Sequence, residues 1–85
     1  MKNSAHILDR LALEIKTIGL LSEPLVSQDY DKDLLLSGLI DSFGFVQFII
    51  FVESEYEISI SDDLQFDERI RTINGMGSII SELST

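Results

Sequence analysis

The segment that most limits how this chain can fold is Phe45-Val46-Gln47-Phe48-Ile49-Ile50-Phe51-Val52. It is apolar except for Gln47, and the acids Glu53, Glu55 and Glu57 close it. Its β-branched and aromatic residues would suit a buried strand. Two features favour a helix instead. Asp41 and Ser42 stand just ahead of the run, where a short side-chain oxygen can cap a helix by accepting from an unpaired backbone N–H. The run is also long, with nothing after Gly44 to break it before the acids. On a helical wheel, Phe45, Phe48, Ile49, Val52 and Tyr56 share one face, which is expected to pack on a first helix. Phe43, Val46, Gln47, Ile50 and Ser54 fall on a nearly opposite face, with Phe51 between the two. A helix apolar on every side is either deeply buried or needs a partner, and so small a domain cannot surround it. The second face is therefore expected to be a docking surface.

The rest of the chain supplies the packing partners. Ile7, Leu8, Leu11, Ile15 and Ile18 recur at helical spacing, predicting a first helix from a cap at Asn3 or Ser4 to about Leu20. Gly19 falls where that helix can terminate. Residues 21–40 read as a long connection: Pro24 interrupts helix, and Ser22, Ser27, Gln28, Asp29, Asp31 and Asp33 are turn and loop residues. A structureless loop of that length is uncommon, so Val26, Tyr30 and Leu34 to Leu36 are expected to pin it to the core. Ser61-Asp62-Asp63 reads as another helix start, leading into a short helix or turn that holds Leu64, Phe66 and Ile70. Thr72 or Asn74 then opens a last helix with Ile73, Met76, Ile79, Ile80 and Leu83 on one face, and Gly75 and Gly77 are placed to allow close helix packing.

Eighty-five residues make one domain, 1–85, and the start at Met1 suggests a free-standing protein. With no cysteine, disulfides and thiolate metal sites are excluded. No apolar segment reaches membrane-spanning length and no signal peptide is evident, so the expected location is cytoplasmic, without membrane insertion. The net charge of −9 is uneven: residues 1–40 carry −2 and residues 41–85 carry −7. Such a surface repels nucleic acid and anionic lipid and steers towards basic partners, although acidity of this kind also serves solubility alone.

Ser42 is the candidate reactive residue. As a nucleophile it would need a base oriented by a third group, and the one histidine, His6, lies far away in sequence with no ligand-type residues clustered around it. The G-x-S-x-G elbow of serine hydrolases is missing. An autonomous hydrolase is thus a poor reading, and any chemistry at Ser42 is expected to be done by another enzyme. Ser42 and Asp41 as a plain helix cap is the simplest reading of those two residues. The start of a helix also favours an anion such as phosphate.

The stretch LLLSGLIDSFGFVQFIIFVESEYE, from Leu34 to Glu57, resembles the acyl carrier protein family. In that family an Asp-Ser-hydrophobic triplet opens the second of four helices. The resemblance implies an all-α, four-helix acyl-carrier-like bundle with three longer helices and one short, and a long loop between helices one and two. It implies that Ser42 carries covalent 4′-phosphopantetheine from coenzyme A, with Asp41 helping to position the serine. Phe43 stands in the usually Leu or Met place. Phe43, Val46, Gln47 and Ile50 then form the partner-docking face. The implied partners are a phosphopantetheinyl transferase and the enzymes that load and process an acyl or aminoacyl thioester, acting on a monomeric, non-enzymatic carrier. The acid before the serine is more like acyl than peptidyl carriers. The aromatics Phe45, Phe48 and Phe51 depart from the smaller residues of many acyl carriers, while Asp41-Ser42-Phe43-Gly44 followed by Val46-Gln47 and the long Ile58–Ile73 stretch are similar to the D-alanyl carrier branch, which serves cell-envelope polymers. A helical interaction module, with Ser42 only a cap, is the alternative from a different class.

Overall fold

A first helix, α1 (Ser4–Ile18), is the element against which α2 (Ser42–Tyr56) and α4 (Ile73–Leu83) both pack. A single-turn helix, α3 (Asp62–Gln65), and a 3-10 turn, Glu68–Arg71, connect α2 to α4. The structure, a computed structural model, describes residues 4–84, and among them there is no strand. The cap expected at Asn3 or Ser4 lies outside the described residues and side chains. The expected count, three longer helices and one short, is what forms.

The periodicity of each helix explains the core. Ile7, Leu11, Ala12 and Ile15 of α1 are buried with Phe48, Ile49 and Val52 of α2, and with Ile73, Met76, Ile79 and Ile80 of α4. The strand-like composition of α2 is overridden because Asp41 caps it and a helix sets these three apolar residues on α1. Glycines close the contacts of α4. A Cβ on Gly77 would stand 2.6 Å from Leu8 Cδ2, and one on Gly75 would run into the Arg69 carbonyl. Arg10 bridges α1 to α2, 5.0 Å above the Phe51 ring and 3.7 Å from a Glu55 carboxylate oxygen.

The long connection is fastened by polar ties as well as by apolar anchors. Tyr30 is buried, its hydroxyl donates to Asp9 Oδ1 at 3.0 Å, and its carbonyl accepts from Asn74 N. Burial, helped by the Asp9 carboxylate, raises the tyrosine pKa. Asn74 Nδ2 donates to Asp31 Oδ1, Arg71 Nε donates to Asp33 Oδ2 at 2.8 Å, and Leu34 N donates to the Arg71 carbonyl. Partial burial pushes the Asp33 carboxyl up. The N–H of Leu36, the Arg71 guanidinium and the N–H of Leu35 outweigh it and hold the group below its ordinary value.

Several expectations are corrected at this level. Of the proposed loop anchors, Tyr30 and Leu34 are buried, but Val26 and Leu36 are exposed. The Asp29 carboxylate accepts from Val26 N and pairs with Lys32, closing a turn that leaves Val26 outside. Asp33 accepts from both Leu35 N and Leu36 N, and this turn sends Leu34 inward and Leu36 outward. Of Leu64, Phe66 and Ile70, Ile70 is buried and Leu64 packs against the core as expected, but Phe66, at the C-cap of α3, is 86% exposed. α1 ends at Ile18, directly before Gly19 as expected and two residues short of Leu20, and the left-handed residue that follows is Leu20. Leu21 N donating to the Lys16 carbonyl completes that stop.

Candidate functional site

Asp41 has extended backbone and precedes the first turn of α2, where four N–H groups have no helical partner. Its Oδ1 accepts from Gly44 N at 2.7 Å, so the side chain caps the helix. Ser42 follows as the first helical residue and is exposed. It lines neither the groove of about 530 Å³ between α1 and α4 nor the one of about 390 Å³ beside the long connection. A hydroxyl in this place meets the positive end of a fifteen-residue helix and is open to a visiting molecule. A phosphate ester on it would be electrostatically welcome.

The sequence-predicted docking residues come together on one exposed face of α2. Phe43 is 71% exposed, Val46 52% and Ile50 58%, with Gln47 and Ser54 also exposed. Phe48, Ile49 and Val52 fill the opposite face, buried, while Phe45 and Tyr56 are half-buried at its margins. The far end of α2 is acidic. Glu53, Glu55 and Glu57 sit at its negative pole, where carboxylates are disfavoured, and no base occupies the last turn. Glu53 is engaged structurally, its Oε2 accepting from Ile60 N at 2.9 Å.

The surroundings of Ser42 are built by the end of α1, which the sequence did not single out. A Cβ on Gly44 would come within 2.8 Å of Ile18 Cγ2, and one on Gly19 within 2.6 Å of the Leu39 carbonyl oxygen. Gly19 stands where α1 ends, as a glycine there suggests, and nothing local announces that it also approaches residue 39. The same packing fixes the place of His6. It is exposed near the other end of α1, roughly 18 Å along the axis from Ile18 at the helical rise per residue. Among the described residues no cluster of three or more His, Asp or Glu could hold a metal. No described helix is long and apolar enough to cross a membrane. No family model matches the chain, and neither a curated protein nor a solved structure shows significant similarity to it.

Proposed function

We propose that this domain is a carrier of the acyl carrier type, whose Ser42 accepts 4′-phosphopantetheine from coenzyme A. The observation that carries the reading is an exposed serine on the first turn of α2, capped by Asp41 and followed by an unburied apolar face. A bond forms between Ser42 Oγ and the pantetheine-side phosphorus of coenzyme A as its pyrophosphate P–O bond breaks, 3′-phosphoadenosine 5′-phosphate leaves with that electron pair, and the hydroxyl proton passes to the transferase. Once bound, the arm supplies a thiol for an acyl or aminoacyl thioester, and catalysis belongs to the partner enzymes. Phe43, Val46, Gln47 and Ile50 receive those partners, with nearby acids as a polar rim. The acyl-carrier-like bundle and the single domain 1–85 are parts of the same proposal, and a D-alanyl cargo for cell-envelope polymers is its alternative form.

A protein-interaction module is the second reading, favoured by the same exposed Phe43, Val46 and Ile50. Intact mass after incubation with coenzyme A and a broad-specificity phosphopantetheinyl transferase separates the two. The wild type should gain the mass of one phosphopantetheine, and a folded Ser42→Ala should gain none. Modification at Ser37 or Ser54 instead would sink the assignment, and no gain at all would leave the interaction module.

A further inference from the structure

Two glycines, distant in sequence, sit where α1 meets the segment that delivers Ser42. Gly19 follows the last residue of α1, and a Cβ there would press to 2.6 Å from the Leu39 carbonyl oxygen and 3.5 Å from Ile40 Cγ2. Leu39 is three residues ahead of Ser42, and a backbone atom cannot retreat as a side-chain tip can. Gly44 lies two residues beyond Ser42 and is buried. A Cβ there would meet Ile18 Cγ2 at 2.8 Å, the Asp41 carboxylate Oδ1 at 3.3 Å and Ile40 Cβ at 3.3 Å. Ile18 Cγ2 is attached directly to Cβ, on a branched side chain with few rotamers in a helix. Asp41 Oδ1 is the very atom that caps α2 through Gly44 N. The chain is therefore in near contact with the end of α1 on both sides of Ser42, and neither contact has room for a methyl group.

We infer that Gly19 and Gly44 are positioning residues for the modification of Ser42, a deepening that rests on the carrier reading. The end of α1 is a seat for the backbone of residues 39–44, and the two missing side chains set how deeply that backbone sits. The seat fixes the height and direction from which Ser42 Oγ meets an incoming phosphorus. Neither glycine has a side chain with which to touch the transferase's substrate: Gly44 is buried against Ile18, and Gly19 is half-buried against the 39–40 segment. Gly44→Ala would displace the first turn of α2 and strain the Asp41 cap together. Gly19→Ala would push from the other side. Attack geometry is sensitive to such displacements: a shift of about 1 Å far from the reacting atoms can change a rate on the order of a hundredfold.

The test is steady-state transfer from coenzyme A by the purified transferase, with the full chain as acceptor and thermal melts of each variant alongside. Gly44→Ala and Gly19→Ala should lower kcat/KM for the carrier roughly tenfold to a hundredfold while remaining folded. The loss should fall more on kcat than on KM, because Val46, Gln47 and Ile50 lie beyond the displaced first turn and only Phe43 of the docking face moves with Ser42. Adding Ile18→Ala to Gly44→Ala removes the methyl that the new Cβ meets and should restore most of the rate. A general loss of stability would not produce that rescue, since Ile18→Ala alone removes packing. Alanine is the better helix former, so Gly44→Ala with wild-type kcat and an unchanged or raised melting point would overturn the inference. Unfolding of both single variants would overturn it too, because the glycines would then set the fold rather than the serine. Failure of the wild type to accept phosphopantetheine would instead refute the carrier reading on which this rests.

Discussion

Replacing Phe48 and Ile50 separately by alanine tests the assignment of the two faces of α2. Phe48 is fully buried among α1 and α4 residues, so Phe48→Ala removes its transfer free energy and leaves a cavity. The expected loss is about 3–5 kcal/mol. A domain of this length has roughly 4–13 kcal/mol of total stability at the usual value per residue, so the variant is close to the edge of folding. Ile50 differs because it is already 58% exposed in the folded state. Complete burial of an isoleucine contributes about 1.5–3 kcal/mol, so less than half of that is at stake. Alanine keeps its own Cβ and gains a few tenths of a kcal/mol in helix propensity. The net change for Ile50→Ala should therefore be about 0.5 kcal/mol or less. Urea titrations of wild type and both variants measure the two values directly, and the slope should stay constant for Ile50→Ala. Val46→Ala should behave like Ile50→Ala. On the carrier reading, both exposed variants should still accept the arm at Ser42 but be loaded more slowly by a partner enzyme. If Ile50→Ala destabilises the domain as much as Phe48→Ala, the face carrying Phe43, Val46 and Ile50 is core, and docking must occur elsewhere.

Three further outcomes follow from the polar ties and the charge. Asp33 has a lowered folded-state pKa, so its stabilisation is complete above the unfolded value of about 3.9 and is lost as pH falls through the lower folded value. Asp33→Asn should flatten the stability–pH curve in that acid window, and Asp33→Ala should cost about 1–3 kcal/mol at neutral pH, both read by denaturant melts. Asp41→Ala should destabilise α2 by about 0.5–2 kcal/mol, whereas Asp41→Asn should keep the cap; equal losses in chemical denaturation would mean that charge, not capping, matters. The melting temperature should rise with moderate salt, since Glu53, Glu55, Glu57, Asp62 and Asp63 follow one another along α2 and the start of α3, and a fall would contradict that repulsion.

What could be read from the sequence was local or periodic. The Asp41 cap spans three residues, and the two faces of α2 follow from the turn of a helix, so both are legible in the sequence. Ser61 as a cap, and Thr72 as one of two candidates beside Asn74, were legible for the same reason, each accepting from the N–H three residues on. The pair Asp33–Arg71 joins residues 38 apart, and Asn74–Asp31 joins residues 43 apart; no window short enough to scan contains either. Turn chemistry decided the misplaced anchors, because Asp33 and Asp29 bind backbone N–H groups and rotate Leu36 and Val26 outward. Gly19 was legible as the place where α1 stops, but its close approach to Leu39 was not, because glycine signals a helix end and a tight contact with the same residue.

The pairing of the cations bears on how many copies behave together in solution. Arg10, Lys32, Arg69 and Arg71 each pair with a carboxylate, Arg69 with both Asp67 and Glu82. Local neutralisation on that scale still leaves a formal net charge of −9. A greasy strip like Phe43-Val46-Ile50 would ordinarily make identical molecules adhere at high concentration. Two such strips can meet only by bringing two like-charged bodies together, and that long-range repulsion acts before any apolar contact forms. The acidity thus works as a colloidal stabiliser, and on the carrier reading it keeps that surface available for unlike molecules. Added salt, by shortening the reach of the repulsion, should turn the second virial coefficient from positive towards negative.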